Sequence, residues 1–192
     1  MSFKFRPFPT LPDVILIEPT TFEDDRGWFA ETYKASEFRK NGLPGAFVQD
    51  NQSFSLKKGT LRGFHYQNPP AEQGKLVRVT RGEVLDVVVD IRKGSPTYAR
   101  HVQAELTESS RSMLWVPPGF AHALLTLVDN TSVTYKVTAE YSKEHERAIR
   151  WDDPEIRAPW PTESPLLSTK DREAPLLKDA ENGFENPSGG RT

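Results

Sequence analysis

Four residue types in this chain suit proton transfer near neutral pH, and their carriers lie far apart: His65, Lys75, Tyr135, and the carboxylates Asp86 and Asp171. An imidazole titrates close to neutrality and becomes a general base once a carboxylate fixes its tautomer and stabilises the imidazolium. A lysine ammonium can hold a developing enolate oxygen. A tyrosine can return a proton from across a site. Together these groups describe one reaction: a proton is taken from the carbon beside a carbonyl, and another is returned to the opposite face. Singly, each has a plainer reading. His65 in GTLRGFHYQ reads as a core or edge histidine, Lys75 as a rim lysine and Tyr135 in TYKV as core packing. Asp171 in STKDR reads as a solvated loop charge, and Asp86 in VLDVVVD as half of a structural pair with an arginine.

These residues need elements to position them, and the chain's patterns are those of strands. Residues two apart share a face of an extended strand. Leu61, Gly63, His65 and Gln67 therefore share one face, and Arg62, Phe64 and Tyr66 the other. Val84, Asp86, Val88 and Asp90 share one face of the next strong pattern, opposite Leu85, Val87 and Val89; a carboxylate in so apolar a strand is costly unless paired. Further strands are expected at 14–17, at 28–33 after the Asp25-Arg26-Gly27 turn, and at 47–51. Two more join at Arg81-Gly82, and others follow at 101–106, 111–116, 123–128 and 132–137. One short helix is expected at 37–40, capped by Ser36 and ended by Gly42.

Many short strands with little helix indicate an all-β sandwich or barrel, of jelly-roll type. At 192 residues the chain suits one domain, expected over 1–182. A proline-rich, charged segment from Trp151 onward is expected to cover the body irregularly, anchored by Trp151, Trp160 and the Leu166-Leu167 pair. Residues 183–192 are expected to form a mobile tail.

Lys and Arg total 25 against 27 Asp and Glu, a formal charge of −2, which gives no basic balance for nucleic acid or an anionic membrane surface. With no cysteine there is no disulfide, thiolate metal site or cysteine nucleophile. The N-terminal stretch lacks the apolar segment of a signal peptide, and no apolar run reaches spanning length. A cytoplasmic protein is expected.

PPGFAH resembles the second motif of the cupin superfamily, Pro-x-Gly-x-x-His, which places His122 inside a barrel. A catalytic metal usually takes three protein ligands, but the histidine pair expected there is reduced to His65-x-Gln67, so no metal is expected. Six stretches resemble the dTDP-4-dehydrorhamnose 3,5-epimerase family, a cupin branch: FVQDNQS, KGTLRGFHYQ, QGKLVRVTRGEVLDVVVDIRKGSPTY, WVPPGFAHALLTL, TYKVTAEYSKEHERAIRWDDPEI and LLSTKDR. They occur in the family's order across about residues 10–175.

The resemblance implies a cupin-type jelly-roll barrel that inverts C3 and C5 of a nucleotide-linked 4-keto-6-deoxyhexose without a cofactor. It places His65 on the catalytic base, Asp171 on its partner, Lys75 on the enolate-stabilising lysine and Tyr135 on the acid. Asp86 matches a carboxylate of the same pocket. Arg26, Glu31, Gln49, Asp50, Asn51, Arg62, His122, Glu146 and Lys170 fall on substrate-binding positions, with Phe29 and Tyr141 against the base or sugar. Arg26, Arg62 and Lys170 suit diphosphate oxygens. The family also implies a homodimer in which an N-terminal strand crosses over and the Arg26–Glu31 stretch completes the neighbour's site. Inversion at one centre only, another nucleotide-linked keto-sugar, or sugar-nucleotide binding without catalysis are the alternatives.

Overall fold

Side-chain alternation along short, β-branched strands builds two main sheets in the computed structural model, which describes residues 2–185. The strands are β1 (Phe3–Pro7), β2 (Ile15–Pro19), β3 (Thr21–Asp24), β4 (Gly27–Ala30), β5 (Gln49–Ser55), β6 (Leu61–Gln67), β7 (Lys75–Arg81), β8 (Glu83–Asp90), β9 (His101–Thr107), β10 (Met113–Val116), β11 (Phe120–Thr126), β12 (Thr131–Val137) and β13 (Glu146–Ala148). Two short helices, α1 (Ala35–Lys40) and α2 (Thr169–Arg172), interrupt them. One sheet runs β1-β2-β10-β7-β12-β5 and the other β13-β6-β11-β8-β9, while β3 and β4 form a separate hairpin. The pairs within the sheets are antiparallel. Gly82, at φ +80°, turns the chain from β7 in one sheet to β8 in the other, a conformation glycine adopts without cost.

The sheets pack face to face on one apolar core. Val77, Val79 and Val133 enter it from the first sheet, and Val84, Val88, Leu106 and Leu124 from the second. The outer face of the second sheet forms another core under the C-terminal segment, where Phe64, Val87, Val89 and Ala123 meet Ile149, Ile156 and Leu177. The alternation expected in β8 is therefore found: Val84 and Val88 face inward, Leu85, Val87 and Val89 outward. A third core lies on the outer face of the first sheet, where Phe38 of α1 packs with Phe3, Ile17, Leu76 and Trp115.

Four expectations are corrected by the packing. Lys34, not Ser36, stands at the N-cap of α1 and makes no side-chain cap, so the helix begins two residues early. Its Phe38 is fully buried, which supplies on the order of 2 kcal/mol in place of a cap. Gly42 does end the helix, at φ +75°, with its N–H donating to the Arg39 carbonyl. Leu166 does not anchor the covering segment by its side chain, which is 53 % exposed; its backbone does, bonding to Gly59 and Leu61. Buried Asp153 ties that segment down by accepting from the N–H groups of Glu155, Ile156 and Leu177. Phe184 is buried in the second core, so a tail starting at Gly183 starts too early, and the rest of that expectation, 186–192, lies outside the described residues. Strand β1 pairs with β2 of its own chain. Among the described residues no helix is long and apolar enough to cross a membrane.

The fourth correction bears on the site. Strict alternation in β6 puts Arg62 opposite in facing to His65. In the sheet, His65 pairs with His122 and Arg62 with Leu124, so two residues of β6, Gly63 and Phe64, stand against Ala123 alone. This bulge turns Arg62 to the inner face beside His65, while Phe64 stays in the outer core. Gly63 permits it: its φ is +125°, and a Cβ there would lie 2.5 Å from the His122 carbonyl oxygen.

Candidate active site

The inner faces of β5, β6, β7, β12 and β13 place polar groups around one cavity of about 250 Å³, lined by Gln49, Asn51, His65, Tyr66, Gln67, Gln73, Lys75, Tyr135, Tyr141 and Glu146. His65 stands on β6 of one sheet, and Lys75 and Tyr135 on β7 and β12 of the other, so base and acid candidates occupy opposite walls.

Asp171 reaches His65 from the covering segment. The backbone bonds of Leu166 to Gly59 and Leu61 lay that segment along the start of β6, and α2 begins three residues later. His65 Nε2 donates to Asp171 Oδ1 at 2.5 Å, and the carboxylate's side chain is only 4 % exposed. An ionised carboxylate only accepts, so Nε2 carries a proton, and in the neutral ring Nδ1 is the free base. Burial pushes the Asp171 carboxyl up. The hydrogen bond and charge of His65, the Ser168 hydroxyl and Lys170 outweigh that and hold it below its usual range.

Lys75 Nζ donates to the His65 carbonyl at 3.2 Å. Burial pushes its ammonium down to about 8, opposed by the charges of Asp86 and Glu146 and reinforced by Lys170. Burial also raises the Tyr135 phenol, with Arg62 opposing the shift and Glu146 adding to it, so the hydroxyl keeps its proton at neutral pH. Deeper in, His122 Nε2 lies 2.9 Å from both oxygens of Asp86. The partner of Asp86 is thus a histidine rather than the arginine of its plainer reading.

Around the mouth, Lys170 Nζ lies 2.6 Å from Glu146 Oε1, and the Tyr141 hydroxyl donates to Glu146 Oε2 at 2.9 Å. Burial raises the Glu146 carboxyl, but Lys170, Tyr141 and the His65 charge bring it below its usual range. Gln49 donates to Asn51 at 2.7 Å and accepts from the Tyr141 N–H. Arg62 donates to Ser55 Oγ and the Phe54 carbonyl.

Not every expected residue converges. Asp50 alternates to the outer face of β5 and pairs with Lys136 at 2.9 Å. It borders a larger depression of about 420 Å³ there, which contains neither His65 nor Lys75. Arg26, Phe29 and Glu31 are also absent from the cavity's lining. Arg26 is 89 % exposed and pairs with Asp24, Phe29 is exposed, and Glu31 pairs with Lys34. Their β3–β4 hairpin is held through Trp28 and Glu23 by Arg111, near the Gly82 end of β7 and away from Lys75. Among the described residues no group of three or more His, Asp or Glu converges as a metal site would.

Ser168 and Gln73 escaped the sequence reading. Ser168 caps α2 and bonds the Asp171 carboxylate, and Ser-x-x-Asp at a helix start is a capping signal that could have shown it. Gln73 lines the cavity and donates to the Ala139 carbonyl, which no local pattern announces.

The model of the family "dTDP-4-dehydrorhamnose 3,5-epimerase" matches residues 9–179. The chain belongs to the dTDP-4-dehydrorhamnose 3,5-epimerase family. A dTDP-4-dehydrorhamnose 3,5-epimerase of Sinorhizobium fredii is 48 % identical over 177 residues, 92 % of this chain and 91 % of its own. The crystal structure of the Bacillus anthracis enzyme with TDP and PPi bound matches at TM-score 0.88 and 44 % identity, covering 91 % of this chain and 99 % of that one. The Legionella pneumophila dTDP-6-deoxy-D-glucose-3,5-epimerase in complex with dTDP-4-keto-L-rhamnose matches at TM-score 0.87 and 40 % identity, covering 92 % and 93 %. The fold is accordingly the β-rich cupin type of this epimerase family, with short helices, and the chain is an isomerase by family.

Proposed function

We propose that this chain inverts C3 and C5 of dTDP-4-dehydro-6-deoxy-D-glucose, giving dTDP-4-dehydro-L-rhamnose. One observation carries the reading: a carboxylate-held imidazole and a protonated phenol stand on opposite walls of one cavity, with a lysine ammonium reaching from the phenol's sheet to the imidazole's strand. Inversion beside a ketone needs that placement, because the proton must leave one face and return to the other.

The 4-keto group acidifies the hydrogens on C3 and C5. His65 Nδ1 takes one, and Asp171 stabilises the imidazolium that forms. The electron pair moves onto the carbonyl oxygen, where Lys75 holds the enolate. Tyr135 returns a proton to C5 from the opposite wall, and Tyr135 or water returns one to C3. His122, fixed by Asp86, offers its ring to the sugar from the inner wall, and the two sheets close around it as a barrel. Arg62 and Lys170 take diphosphate oxygens, and Gln49, Asn51, Tyr141 and Glu146 hold sugar and base. No electron transfer is involved, so no redox cofactor takes part.

The active form is a homodimer. Support comes from the β3–β4 hairpin, which joins neither main sheet and leaves Phe22 and Phe29 62 % and 66 % exposed. In this reading the hairpin reaches across, bringing Arg26, Phe29 and Glu31 to the neighbour's cavity. Incubation with the 4-keto-6-deoxy sugar nucleotide and NMR of the sugar ring tests the activity. Appearance of L-configured couplings supports it, and an unchanged D-ring speaks against it.

A further inference from the structure

Asp171 can serve His65 only while its carboxylate keeps one orientation, and its other side-chain rotamers turn the carboxylate away. A helix of four residues does not fix that choice by itself. Ser168 grips Asp171 at two points. Its Oγ–H donates to Oδ2 at 2.8 Å, and its oxygen accepts the Asp171 backbone N–H at 3.1 Å. Oδ1 is left to receive His65 Nε2–H at 2.5 Å. The Asp171 side chain is only 4 % exposed, so these two partners take up its carboxylate oxygens in a buried setting. Ser168 itself is not among the residues lining the cavity.

We propose that Ser168 is a positioning residue: its hydroxyl locks the Asp171 carboxylate in the rotamer that receives the His65 ring N–H. The proposal rests on His65 as the base of the proposed function. Its rival is that Ser168 merely caps α2. Glycine separates the two, because it is tolerated at an N-cap at small cost yet donates nothing.

The test is an NMR titration of the His65 ring in the full-length protein. Around that ring stand Asp171 and Lys170 from α2, Glu146 from β13, Lys75 from β7, Tyr135 from β12, His122 from β11 and Arg62 from β6 itself. Asp171→Ala removes the contacting negative charge, so the imidazolium is less stable and the titration midpoint falls. Ser168→Ala and Ser168→Gly are expected to move the midpoint the same way by a smaller amount, and Ser168→Thr to restore it. In turnover, Ser168→Ala and Ser168→Gly are expected to lower kcat about tenfold and leave KM within about twofold, since Ser168 does not line the cavity. Wild-type midpoints in both Ser168→Ala and Ser168→Gly would overturn the assignment. The titration needs no substrate, so it reads Ser168 separately from the proposed activity, whose failure would show instead as a wild-type protein without turnover.

Discussion

At His65 the chemistry depends on which ring nitrogen carries the proton, and Asp171 settles that by accepting from Nε2. His65→Ala is expected to lower hydrogen exchange at the sugar by about 10²–10⁴-fold while dTDP binding, measured by calorimetry, stays near wild type; turnover within a few-fold of wild type would move the base elsewhere. Lys75 is expected to set the alkaline limit. Its ammonium is charged below about 8 and neutral above, so the rate should fall as pH rises through that value. In Lys75→Arg the cation persists through the alkaline range, and the residual rate should lose this alkaline fall; a limb that remained would belong to another group. The sequence made His65 and Asp171 unequally legible. His65 stood on a strand with a readable face, whereas Asp171 looked like a loop charge, and only resemblance to a family reached it. Its burial comes from the Leu166 backbone bonds to Gly59 and Leu61, which connect segments about a hundred residues apart and leave no local pattern.

At the scale of the element, β6 decides what faces the cavity. The two-residue period was read correctly in β8, where Asp86 lies with Val84 and Val88, because that strand pairs without interruption with β9 and β11. It failed for Arg62 in β6 because the bulge at Gly63 and Phe64 adds a residue. The glycine was visible, but its meaning depends on the close approach of β11. Gly63→Ala would put a Cβ 2.5 Å from the His122 carbonyl oxygen and 2.6 Å from the Ala123 Cα. Backbone strain and overpacking together should cost on the order of 3 kcal/mol in urea unfolding, and Arg62 should lose its place beside Ser55. A variant with wild-type stability would show that the bulge can relax. In the same way, Asp50 was read with Gln49 and Asn51 as one motif, but adjacent strand residues face opposite ways and Asp50 meets Lys136 outside.

At the scale of the whole molecule, the cavity built by one chain lacks Arg26, Phe29 and Glu31, which the hairpin carries elsewhere. If the hairpin completes a neighbour's site, two inactive proteins can repair one another. Arg26→Ala and His65→Ala, each impaired alone, should regain activity when mixed under conditions of subunit exchange, because one mixed dimer has a site with both residues intact. Absence of any recovery would place Arg26 outside the site. The two-sheet architecture was legible from strand spacing and turn residues, but how the hairpin packs was not, since exposed aromatics on a short hairpin carry no record of what covers them. The most direct test of proton transfer at both carbons is incubation with dTDP-4-dehydro-6-deoxy-D-glucose in D2O, following H3 and H5 by NMR. Deuterium entering both positions, with both losses abolished in His65→Ala, is the predicted result. Exchange at one position alone, or at neither, would contradict a two-centre epimerase.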